Sequence, residues 1–201
     1  SVLVDLNDAA ATLPNSYNSV ENITPLETPL SSTINGAALA TPVFLSLYAE
    51  NDLRLDKYFA ETDEKGFRKN KKAGSNNYLC TFRVGEIYLT AAEAAARLGE
   101  LSQARTRLLE LMRKRYAPEA YEAKSVVVNA MDKEALVQEI LDERARELAF
   151  EGHRWFDLRR STRPRLEKVL DGTRYVLEEN DARYTLAIPK EAIEANPGLL
   201  N

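Results

Sequence analysis

Glu143-Arg144-Ala145-Arg146-Glu147-Leu148-Ala149-Phe150-Glu151-Gly152-His153-Arg154-Trp155-Phe156-Asp157-Leu158-Arg159-Arg160 carries three carboxylates, Glu143, Glu147 and Glu151, at i, i+4 and i+8. On a helix these stack along one side and repel one another unless cations answer them. Arg146 and Arg154 follow Glu143 and Glu151 by three residues, and Arg144 precedes Glu147 by three. The helix opens near Asp132, a residue suited to capping its amino terminus, and runs to about Phe150. Its stripe reads Val137, Ile140, Leu141, Arg144, Leu148, Glu151, so two charged residues stand where the period asks for apolar ones. An unpaired charge is costly to bury. The pattern therefore predicts a partly buried ion-pair network of Glu93, Arg144, Glu147, Glu151 and Arg154. It would tie this helix to the one at 83–98, with Glu86 or Glu93 as the partners there.

Outward from this stretch, Val84, Ile87, Tyr88, Ala91, Ala95 and Leu98 fall at steps of three and four, one face of a helix. Gly99 ends it, and Ser102 is placed to cap a second helix carrying Ala104, Leu108, Leu111 and Met112 as far as Pro118. Two helices joined so closely form an antiparallel hairpin. Gly99 followed five residues later by Ala104, with Ala92 before and Leu108 after, has the spacing of a tetratricopeptide repeat; one such unit needs neighbours to bury its face. Beyond the charged helix, Thr173–Leu177 and Tyr184–Ile188 read as a β-hairpin around 178–181. Toward the amino terminus, 1–13 reads as a short helix stopped by Pro14, and 15–42 as a long irregular segment rich in Asn, Ser, Thr and Pro. A basic loop spans 65–77.

The stretch 143–160 resembles the signature of the SusD/RagB family. Three further blocks agree in order: Phe82-Arg83-Val84-Gly85-Glu86-Ile87-Tyr88-Leu89 with Ala92-Glu93-Ala94; Asp52-Leu53-Arg54 with Tyr58-Phe59; and Ile188-Pro189, Ile193, Asn196-Pro197 and Asn201, where Ala192 replaces an acidic residue. The resemblance covers roughly 50–201. It implies a mainly α fold of tetratricopeptide-like helical hairpins in an α-α superhelix, with long irregular loops and a small β-hairpin near the carboxyl terminus. Residues 1–201 are expected to form a single carboxyl-terminal domain of that kind, loop-rich over 1–80, a helical scaffold over 81–170, and hairpin and tail over 171–201. Members are surface-exposed outer-membrane lipoproteins of Bacteroidetes. They capture glycans, in some cases peptides, and pass them to a SusC-like TonB-dependent transporter without catalysis. The lipid-bearing cysteine is not present in this chain, since Cys80 lies mid-chain.

Composition restricts the alternatives. With 31 acidic and 27 basic residues in 201, a net charge of -4 gives no general attraction to nucleic acid. The basic run Lys65, Arg68, Lys69, Lys71, Lys72 reads as a solvated loop. One cysteine and one histidine, His153, leave little support for a metal site or a His-based nucleophile, and no cofactor is expected. Glu143, Glu147 and Glu151 could form a glycosidase-like acid–base pair, but arginines at helical contact distance lower a carboxyl pKa and spoil it as a general acid. Trp155, beside Phe156 and Leu158, reads as packing rather than as a sugar platform. Asn15, Tyr17 and Asn18 are the candidate ligand contacts, one aromatic face with two amides on a loop. A tetratricopeptide-type protein-interaction scaffold is the competing reading.

Overall fold

The computed structural model describes residues 3–26, 39–72, 80–170, 172–196 and 198. Eight α-helices and seven short strands lie among the described residues. In chain order these are β1 (Asn22–Leu26), β2 (Leu39–Ala40), α1 (Pro42–Leu45), α2 (Arg54–Tyr58), β3 (Phe59–Thr62), β4 (Arg68–Asn70), β5 (Cys80–Arg83) and α3 (Val84–Leu98). There follow α4 (Leu101–Met112), α5 (Pro118–Ala130), α6 (Lys133–Glu147), α7 (Arg154–Arg160), β6 (Leu166–Leu170), β7 (Thr173–Leu177) and α8 (Lys190–Ala195). The strands form antiparallel pairs β1–β5 and β6–β7 and a three-stranded sheet in the order β2–β4–β3. No described helix is long and apolar enough to cross a membrane.

The chain divides into two compact units, Ser1–Arg154 and Trp155–Asn201. In the first, α3 packs against both α4 and α6. Gly99 adopts φ +88° and turns the chain into α4, a conformation in which a side chain is strained. Ala92, Ala104 and Leu108, the residues with repeat-like spacing, are fully buried around that turn. The buried face of α3 overlaps only in part the one read from the sequence, since Ala95 is buried and Val84 and Tyr88 pack against the core. It consists of Gly85, Leu89, Ala92, Glu93, Ala95 and Ala96, whereas Ile87 and Leu98 are exposed. Two flanking helices select the side with the smaller residues, which permits their close approach.

Several boundaries also differ. Residues 3–13 form turns rather than a helix, because Asp5 Oδ1 accepts from Asn7 N, Asp8 Oδ1 accepts from Ala10 N, and Leu6 N donates to Lys114 O at 2.9 Å. Local side-chain acceptors and a distant carbonyl take the amides a helix would use. The irregular segment expected over 15–42 contains β1 and β2, and its remaining part at 27–38 lies outside the described residues. The helix expected to run to Pro118 ends at Met112, starts at Leu101 and is not capped by Ser102; Glu100 holds the cap position. Pro118 instead opens α5, at a first-turn position where its missing N–H costs nothing. Asp132 caps α6, accepting from Ala135 N at 2.9 Å.

The second unit holds the carboxyl-terminal hairpin, but β7 pairs with β6 rather than with 184–188. Leu166↔Leu177 through Leu170↔Thr173 sets the register, with Gly172 at φ +76° in the turn. Asp181 instead starts a 3-10 turn at Ala182–Tyr184 by accepting from Arg183 N. Trp155 stacks on the buried Tyr184 ring at 5.2 Å and 13°, and the Tyr184 hydroxyl donates to Pro164 O, so the indole does serve packing.

Candidate functional site

A buried cluster in the first unit joins five carboxylates, Glu21, Asp52, Glu143, Glu147 and Glu151, to five cations, Arg54, Lys72, Arg83, Arg115 and Arg146. The charges balance within the protein interior. Loop hydrogen bonds bring the contributing segments together. Leu53 N donates to Arg115 O and Ala117 N to Asn51 O, which draws the start of α2 to the end of α4. Val84 N donates to Glu21 O beside the Asn22↔Arg83 pair, which draws the turn before β1 to the start of α3.

Glu147, the last residue of α6, is the node. Its Oε1 accepts from Arg83 Nη1 at 2.6 Å and from Arg115 Nε and Nη2 at 3.0 and 2.9 Å. Its Oε2 accepts from Arg115 Nε at 2.9 Å and Arg54 Nη1 at 3.1 Å. Glu21 bridges the same cations, accepting from Arg115 Nη2 at 2.6 Å and Arg83 Nη1 at 3.2 Å. Arg54 closes the far side with a two-pronged contact to Asp52, at 2.9 and 2.8 Å, and a 2.6 Å bond to Glu143. Glu143 also accepts from Arg146 Nε at 2.8 Å. Glu151 accepts from Arg83 Nε and Nη2, both at 2.9 Å, and from Lys72 Nζ. Gly85 lies directly beneath: a Cβ there would sit 2.6 Å from Arg83 Nη1 and 3.2 Å from oxygens of Glu147 and Glu21.

Lys72 corrects the reading of its basic run as a solvated loop. The run includes β4, and Lys72 is buried, its ammonium over the Tyr58 ring and donating to the carbonyls of Glu147 and Ala149 at 2.9 and 3.1 Å. It thereby satisfies carbonyls that the end of α6 leaves open. Burial pushes the Lys72 ammonium down to about 8, against the pull of Glu151. Burial alone would raise the carboxyls. At Glu147, Arg115, Arg83 and Arg54 outweigh it and hold the group well below the usual range. Glu143 is lowered by Arg54 and Arg146, and Glu151 by Arg83 and Lys72, in the same way.

Among the residues singled out from sequence, Glu147 and Glu151 lie inside this cluster. Glu93 accepts from Arg97 Nε at 2.9 Å on its own helix, and Arg144 Nη1 donates to Thr90 Oγ1 at 3.1 Å, which joins α6 to α3. Arg154 is exposed. Glu86 faces His153 Nδ1 at 3.5 Å. Of the candidate ligand contacts, Tyr17 and Asn18 are exposed, but Asn15 is buried and spends its amide on Lys72 O at 2.9 Å, which places it in the framework. Glu21, Asp52, Arg54, Arg83, Arg115 and Lys72 were not legible as network members. Arg54 and Arg83 stood inside family-like blocks, whereas Glu21 and Arg115 sit in polar stretches that carry no mark. Among the described residues, no group of three or more His, Cys, Asp or Glu is arranged to hold a metal ion.

The model of the SusD family matches residues 37–201. Among solved structures, the chain is similar to a SusD-like carbohydrate binding protein from Bacteroides vulgatus ATCC 8482, with 18% identity and a TM-score of 0.62 over 92% of this chain. The chain spans 49% of that protein's length. No curated protein matches it.

The cluster generates three expected outcomes. Glu147→Gln leaves buried guanidiniums uncompensated and lowers the unfolding free energy by about 3–5 kcal/mol, whereas Glu110→Ala in the exposed Arg107–Glu110 pair costs less than about 1 kcal/mol. Urea unfolding of the two variants checks the contrast; equal losses would refute the node. Gly85→Ala is destabilising by the same assay although alanine is the better helix former, because the added methyl meets held charges. The carboxyls of Glu143, Glu147 and Glu151 are lowered in the fold, so the unfolded chain takes up protons first as pH falls. Their contribution is complete above the ordinary value of 4.5 and is lost as pH drops through the folded values, so midpoints from urea titrations should fall steeply only on the acid side of 4.5.

Proposed function

The chain belongs to the SusD family, and on that premise we propose that it acts in a non-catalytic nutrient-binding subunit that holds a glycan, or a peptide, for a SusC-like TonB-dependent transporter at the outer-membrane surface. The carbohydrate-binding description of the solved relative supports the ligand class. The observation that carries the non-catalytic part is the state of Glu143, Glu147 and Glu151. A general acid must hold a proton near the working pH. These carboxyls are enclosed, fully hydrogen-bonded to cations and held in the charged form. They build the scaffold instead. The α3–α4 hairpin, with Ala92, Gly99, Ala104 and Leu108 at its turn, serves in this proposal as one unit of a tetratricopeptide-like superhelix facing the transporter.

Purified protein is expected to retain one class of glycan on an array of glycans and peptides, and to leave that glycan chemically unchanged after prolonged incubation. Shortened products in the incubation would overturn the non-catalytic reading. Retention of peptides alone would move the ligand class. Retention of nothing would remove the binding role.

A further inference from the structure

The geometry points to a binding site for a neutral sugar unit in the cavity between the amino-terminal turn and the α4–α5 junction, an assignment that rests on the glycan reading above. The cavity has a volume of about 470 Å³, and Asp5, Glu110, Arg113, Lys114, Tyr121 and Glu122 are among the residues that line it. That volume is within the range of small-molecule sites.

Its walls are held before any ligand arrives. Leu6 N donates to Lys114 O at 2.9 Å, Lys114 Nζ to Asp5 Oδ2 at 2.8 Å, and Asn7 Nδ2 to Tyr116 O at 3.2 Å. These three links fasten the turn to a helix end more than a hundred residues away in the chain. A site fastened in this way loses little freedom on binding. Tyr121 is half-buried and packs against the core, so its ring is a fixed surface.

The groups still able to bond decide the class of ligand. Lys114 and Asp5 engage each other, and Glu110 Oε2 accepts from Arg107. Arg113 and Glu122 are exposed, and neither side chain has a polar partner among the described residues; the Tyr121 hydroxyl also has none. The cavity therefore offers a planar donor in Arg113, acceptors in Glu122 and in Glu110, and an aromatic face in Tyr121. Adjacent ring hydroxyls both donate and accept, and the C–H face of a pyranose lies on an aromatic ring. Three carboxylates against two cations disfavour an acidic ligand, and with Asp5 held by Lys114 and Glu110 by Arg107 little negative charge is left over to draw a cationic one.

The test is calorimetric titration of the full chain and of the double variant Arg113→Ala/Glu122→Gln with cellohexaose, xylohexaose, mannohexaose, maltohexaose and hexagalacturonate. Both substituted residues are exposed, so the fold persists, which circular dichroism checks. The proposal expects one neutral oligosaccharide to bind the parent chain and the double variant to bind it at least about tenfold more weakly. Equal affinity of parent and double variant overturns the site and leaves the glycan reading intact. Tighter binding of hexagalacturonate than of every neutral sugar overturns the ligand class. No binding by the parent chain removes both the site and the glycan reading.

Discussion

A carboxylate enclosed at the end of a helix cannot be left without positive partners, and Glu147 takes its partners from three places far apart in the chain. Arg54, Arg83 and Arg115 lie 93, 64 and 32 residues from it. Each comes from a junction rather than from the middle of an element: the entry to α2, the strand-to-helix step before α3, and the exit from α4. Removing any of these groups from water is unfavourable, and the arrangement compensates only when all are present with their hydrogen bonds made. A shifted register of α6 would move Glu143, Glu147 and Glu151 away from their cations together. The node therefore discriminates between one packing of these segments and the neighbouring ones, in a way that apolar contacts of similar area do not.

Two apolar regions complete the unit on either side of the charges. Leu89, Ala92, Ala96, Leu108, Leu111, Met112, Leu136 and Ile140 form one, where small residues on α3 admit both flanking helices. Val4, Leu6, Tyr48, Tyr58, Phe59 and Ala149 form the other, with Phe44 and Phe150 edge-on to Phe59 at 6.3 and 6.1 Å. Tyr48 and Tyr116 link these regions to the cluster through their rings over Arg54 at 5.9 and 5.1 Å. Guanidinium faces are less tightly hydrated than an ammonium and stack on aromatic rings, so arginine suits this border better than lysine would.

What could be read from sequence follows from the range of each interaction. The cap at Asp132, the turn at Gly99 and the small residues Ala92 and Ala104 are set by neighbours a few residues away, and they were legible. The buried face of α3 depends on which two helices flank it, so Ile87 and Leu98, apolar and at helical spacing, pointed to the wrong side. The charged helix announced that cations must answer it but not which ones. Of the near choices at i±3, Arg146 does answer Glu143, while Arg144 and Arg154 were the others, and the deepest contacts come from Arg54, Arg83 and Arg115, whose proximity arises only after the loops close. Lys72 was the hardest to see, since one lysine among five basic residues is singled out only by the carbonyls at the end of α6. The family-like blocks at 52–59 and 82–94 did contain Arg54 and Arg83, so the resemblance carried information that periodicity lacked.

The same enclosure that fixes the scaffold separates it from recognition. A group that contacts a ligand must have a lone pair or proton to offer once its internal bonds are made, and the five interior carboxylates have given theirs to guanidinium or ammonium groups. Opening one to a ligand would strand its cations, a penalty larger than a single sugar hydrogen bond returns. Any recognition chemistry in this unit is therefore left to surface groups whose valences are still unspent, and the charged helix of the family-like signature cannot by itself specify a ligand. This division explains why the signature at 143–160 is informative about fold and silent about any ligand. In the proposed site, ligand preference would change through residues such as Arg113, Tyr121 and Glu122 without disturbing Glu147 and its partners, because the two sets of side chains share no hydrogen bond among the described residues.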